Sequence, residues 1–99
     1  MLNNSLNNVL TKQEITNLLK NDCKEVDYDH LISLIDNWSN GDKGEYLMYF
    51  AFDKNDNIII ADNTCHEMFV EQFEKNDYDK AYRWYCGANI DDLKNQKVC

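Results

Sequence analysis

The chain reads as an α+β domain in which helices flank a small antiparallel β-hairpin, in the order α-α-β-β-α-α with room for a short last helix. Three observations predict this. Capping residues stand just before apolar residues at helical spacing, at Thr11, Asp27, Thr64 and Asp77. Two apolar runs, EYLMYFAF (Glu45–Phe52) and NIIIA (Asn57–Ala61), have the aromatic and β-branched content of strands. The polar link DKND between them is short enough to demand an antiparallel hairpin.

Thr11 and Glu14 form a capping box, Leu10 and Ile15 the matching hydrophobic staple, and Ile15, Leu18 and Leu19 one face of a first helix over about 12–21. Asp27 caps a second helix, with Val26 and Leu31 as staple. Tyr28, Leu31, Leu34, Ile35 and Trp38 lie along its apolar face, and Asn40-Gly41 ends it. The hairpin follows. Thr64 and Glu67 then repeat the capping-box pattern, with Cys65, Met68, Phe69, Gln72 and Phe73 along one face of a third helix that stops at Asn76. Asp77 caps a fourth, carrying Tyr78, Ala81, Tyr82 and Tyr85 and ending at Gly87; Asn89 leads into the short last helix around Ile90 and Leu93. In the first strand Tyr46, Met48, Phe50 and Phe52 face one way, and Leu47, Tyr49 and Ala51 the other. Both faces are apolar, so helices are expected to cover both sides. The bare edges of a two-stranded sheet call for a third strand, from residues 1–9 or from a partner protomer.

Ninety-nine residues make one domain, 1–99, with the Asn-rich residues 1–9 expected to be flexible. No apolar run reaches the length of a bilayer span and no basic, apolar leader pattern opens the chain, so a cytoplasmic location is expected. The four cysteines are widely spaced and read as reduced thiols. Fourteen asparagines, a single arginine and no proline suggest AT-rich codons, hence a low-GC bacterium or a phage or plasmid within one.

Dedicated chemistry is hard to find. Asp53, Asn55 and Asn57 match the first positions of an EF-hand loop, but Ile58 stands where glycine is needed and Thr64 where a bidentate glutamate is needed. Cys65, His66 and Cys86 lack the close pairing of a zinc site, and His66-Glu67 lacks the second histidine of HExxH. With no phosphate loop or nucleophile elbow either, the expectation is no enzyme, no metal and no cofactor. Scattered lysines argue against nucleic-acid binding.

Charge carries the remaining signal. Acids outnumber bases 18 to 10, and between Asp22 and Asp79 the count is 15 to 4. Such a surface repels nucleic acid and anionic membrane and attracts basic proteins. On the expected third helix Glu67, Glu71 and Glu74 share one narrow face, with Asp77 and Asp79 next, setting carboxylates about 5–6 Å apart, the order of the charge spacing in a nucleic-acid strand. Asp53 and Asp56 at the hairpin tip form a second acidic contact, and Trp84 is a candidate hot spot. A solvated face serving solubility alone is the plain alternative.

In its length, surplus of acids, AT-rich usage and lack of a catalytic motif, the chain resembles the small acidic inhibitors that phages and mobile elements direct against bacterial defence, such as anti-CRISPR proteins and DNA mimics. That resemblance implies a protein that occupies the basic nucleic-acid or recognition channel of a defence nuclease. Charge fits equally an immunity protein or antitoxin that neutralises a basic toxin. The two-faced strand also fits a homo-oligomeric regulatory protein, such as a homodimer.

Overall fold

Thr11 opens the first helix, α1 (Lys12–Leu19), with both halves of the capping box: the Glu14 N–H donates to Thr11 Oγ1 at 3.1 Å and the Thr11 N–H donates to Glu14 Oε1 at 2.8 Å. The computed structural model describes residues 10–42, 45–65 and 67–87. A short strand, β1 (Cys23–Glu25), follows α1 and leads to α2 (Tyr28–Ser39), whose N-cap Asp27 accepts from the His30 N–H at 2.8 Å. At its far end Gly41 takes φ +96°, its N–H donates to the Trp38 carbonyl, and the Asp42 N–H donates to the Asn37 carbonyl. This is a Schellman stop, where glycine avoids the Cβ clash of the left-handed region. Three strands come next, β2 (Met48–Phe52), β3 (Ile58–Asp62) and β4 (Phe69–Phe73), and then α3 over 78–87.

The strands form one mixed sheet in chain order, β1-β2-β3-β4, with β1 parallel to β2 and the other neighbours antiparallel. Helices cover both faces. On one, Ile15 and Leu19 of α1 and Tyr78, Ala81 and Tyr85 of α3 pack on Cys23, Met48, Phe50, Ile58 and Ile60. On the other, Leu31 of α2, with Leu34 and Ile35, packs on Tyr49, Ala51, Ile59 and Ala61. The two-faced apolar strand is thus accounted for within one chain.

The expected order α-α-β-β-α-α around a two-stranded hairpin is wrong. Among the described residues the order is α-β-α-β-β-β-α, and the sheet has four strands. The expected third helix is instead a turn and the strand β4. Its supposed capping box never forms, because Thr64 is taken by Asp62: Asp62 Oδ1 accepts the Thr64 N–H at 2.9 Å and its hydroxyl at 2.6 Å. Every residue of β3 is buried, so its outer row of backbone groups needs partners, and FVEQF supplies them. Among the described residues the edges of the β2–β3 pair are covered by β1 and β4. The flexible tail expected at 1–9 and the last helix expected near Ile90 lie outside the described residues. Among those described, no helix is long and apolar enough to cross a membrane.

Candidate binding surface

The acids singled out in the sequence divide into committed and uncommitted groups. Asp53 is committed to its own turn. Its Oδ1 accepts the N–H groups of Asn55 and Asn57 at 2.8 and 3.0 Å, and its Oδ2 accepts from Asn57 Nδ2 at 3.1 Å. Desolvation pushes this carboxyl up, yet those hydrogen bonds and the Lys54 charge outweigh it and hold the group below the usual carboxylate range. The turn closes with the Asp56 N–H on the Asp53 carbonyl and Asp56 at φ +64°, a type I turn with a left-handed bulge residue. The carboxylate that would begin a calcium loop therefore holds the hairpin together. Among the described residues no group of three or more His, Cys, Asp or Glu converges as metal ligands.

Asp56 is paired with Lys12 at 2.9 Å, and the same ammonium stands 4.7 Å from the centre of the Phe52 ring. The Tyr78 hydroxyl donates to the Asp56 carbonyl, so the hairpin tip is pinned to both α1 and α3. Asp77 sits at the start of α3, its carbonyl accepting from Lys80 and Ala81. Asp79 lies 3.5 Å from Arg83, one turn along the same helix. Trp84 is no exposed hot spot: it is half-buried, and its ring lies 6.1 Å from Phe73 against the core.

Glu67, Glu71 and Glu74 remain. All three are exposed, and none makes an ion pair among the described residues. They do not form the helical row expected from the sequence. Glu71 is the middle residue of β4, Glu67 lies in the bend before it, and Glu74 follows it. At about 3.3 Å per residue a strand spreads such positions more than twice as far as a helix does, so the nucleic-acid-like spacing is lost. The fold does bring Glu74 beside the hairpin tip: Asp56, Asn57, Glu74 and Lys75 line one polar cleft of about 420 Å³.

Two exposed apolar side chains accompany these acids, Phe69 at 45% and Val70 at 40% exposure. Helical spacing had assigned Phe69 to a buried face. In the strand Phe69, Glu71 and Phe73 lie on one side and Val70 and Gln72 on the other, each side mixing apolar with polar, so FVEQF lacks the alternation that marks a strand in sequence.

A larger open cleft, about 740 Å³, runs along β1 between Lys20 and Asp27 and reaches Leu47. Its cysteine, Cys23, is buried, and the Sγ donates to the Met48 sulfur at 3.4 Å. Burial, then the charges of Asp22 and Asp62, push the thiol up to about 12, so it is protonated at neutral pH and unsuited to act as a nucleophile. The Tyr85 hydroxyl donates to Asp22, and burial together with that contact raises its pKa too.

Compared with protein-family models, with curated proteins and with solved structures, the chain matches none.

Proposed function

We propose that this chain is an acidic protein inhibitor that binds a basic, nucleic-acid-handling defence protein in the cytoplasm of a bacterial host and blocks its nucleic-acid or recognition channel. One observation carries the reading: Glu67, Glu71 and Glu74, in and beside β4, are exposed and make no ion pair among the described residues, while Asp53, Asp56 and Asp79 are taken up by internal partners. A net charge of −8 adds long-range attraction for a basic partner, which acts chiefly on association rate. The reading makes the protein a binder without catalysis or cofactor.

The test is capture from bacterial lysate at low and high salt, comparing the parent with the triple variant Glu67→Lys, Glu71→Lys, Glu74→Lys. The expected result is a basic nucleic-acid-handling protein retained by the parent at low salt, released as salt rises, and lost from the triple variant, while circular dichroism shows the variant folded. Equal capture by a folded triple variant refutes the reading and leaves the acids as a solvated face.

A further inference from the structure

Among the described residues β4 has a neighbour on one side only, β3. In such a strand alternate residues turn their N–H and C=O groups outward, where they can pair with another chain. Natural edges are blunted by proline, bulges, charged side chains (lysine above all), a covering helix or loop, or extreme shortness. This one has five residues, no proline and no lysine, and it shows Phe69 and Val70 to solvent. Its single charge, Glu71, sits at the centre.

We propose that β4 is a docking edge for an extended, basic segment of a protein partner, which joins the sheet as a fifth strand; this rests on the acidic-inhibitor reading above and specifies how that surface binds. Charge selects the occupant. A second copy of the chain pairing antiparallel about the middle of β4, the register that uses all five of its residues, sets Glu71 directly against Glu71. Like charges directly opposite destabilise a strand pair. A lysine or arginine opposite Glu71 reverses the sign, and Glu67 and Glu74 extend the attraction beyond both ends.

Register adds detail. Phe69, Glu71 and Phe73 lie on the sheet face covered by α1 and α3. The segment that fits places apolar, basic and apolar residues on that face, with small or polar residues between them. Main-chain hydrogen bonds then supply affinity, and the alternating side chains supply selectivity.

A capped synthetic peptide in which threonine alternates with isoleucine, lysine and isoleucine is the probe, with calorimetry and amide hydrogen exchange on the full chain. The peptide is expected to bind and to slow exchange at alternate amides within 69–73. N-methylation of its alternate amides that face β4 weakens binding by more than about tenfold, whereas methylation of the intervening amides leaves it unchanged. Replacing the peptide lysine by glutamate, or making Glu71→Lys, weakens binding roughly fivefold. If both methylated peptides bind as well as the parent and salt still weakens them, strand addition fails while the acidic-surface reading survives. If the chain binds neither this peptide nor polylysine, both fail. Concentration-dependent self-association that protects the same amides makes a second copy the occupant and overturns the proposal.

Discussion

Asn63 offers the sharpest test of how the sheet is held. It is 3% exposed and stands just past the last regular pair of β2 and β3, Met48 with Asp62. Its Oδ1 accepts the Leu47 N–H at 2.7 Å and its Nδ2 donates to the Glu45 carbonyl at 3.0 Å, so a side chain continues the ladder where the backbone pair has widened to 3.5 Å. Asn63→Ala removes two hydrogen bonds at about 1 kcal/mol each and strands a partly buried N–H for about 1 kcal/mol more, a loss of roughly 2–3 kcal/mol. For a domain of this size that lowers the melting temperature by roughly 10–20 °C. Asn63→Asp keeps the acceptor but turns a carboxylate on the Glu45 carbonyl. It should be as unstable as Asn63→Ala at pH 7 and recover part of the loss on acidification, when the protonated acid again donates. Urea unfolding followed by tryptophan fluorescence measures both. An Asn63→Ala midpoint within about 0.5 kcal/mol of the parent would refute the reasoning.

Lys12→Ala loses the ion pair to Asp56 and the contact with Phe52; both charged groups are half-exposed, so the expected loss is about 0.5–1.5 kcal/mol, part of it absent in high salt. Alkali should weaken the fold through Cys23 and Tyr85. Each has a pKa raised by folding, so the unfolded chain releases those protons first. The stabilisation from Cys23 is complete below pH 9.0, the thiol's ordinary value, and is lost as pH climbs towards about 12. Urea midpoints taken from pH 8 upward should fall, and less steeply in Cys23→Ala; a flat parent profile contradicts this. Native thiol labelling should modify exposed Cys65 well before buried Cys23, and equal rates would count against the placement of Cys23. Glu71→Thr separates strand from helix: in β4 it should raise stability by up to about 1 kcal/mol, whereas in a helix it would lower it by about 0.5 kcal/mol.

The parts of the fold that were legible depend on near neighbours in the chain. The Thr11–Glu14 box, the Asp27 cap and the Asn40-Gly41 stop each involve residues a few positions apart, and each forms as expected. The β2–β3 pairing was equally readable, because a tight polar turn separates two unmistakable runs. The two missed strands depend on distant partners. CKE is three residues with two charges and becomes β1 only by lying against Met48–Phe50. In FVEQF the phenylalanines are four apart, which puts them on one side of a helix and of a strand alike, and the buried outer side of β3 decides between them. The site follows the same division. That Glu67, Glu71 and Glu74 are exposed was visible in composition, but their spacing changed with the element that carries them. The pairing of Asp56 with Lys12 spans 44 positions and left no local mark.

The division of the core between the two faces also divides the separations along the chain that each face must bridge. The face under α2 draws on residues from Val26 to Met68, a single stretch in the middle of the chain. The opposite face needs α1 from the beginning of the described chain and Tyr78, Ala81 and Tyr85 near its end. Phe50, Ile58 and Ile60 are therefore enclosed by both ends of the described chain, and the Tyr85–Asp22 and Tyr78–Asp56 contacts latch the first helix region and the hairpin tip to the last helix. Removing α3 would bare part of the face that α1 shares with it and leave the α2 face covered, so one face of the sheet depends on the last described helix and the other does not.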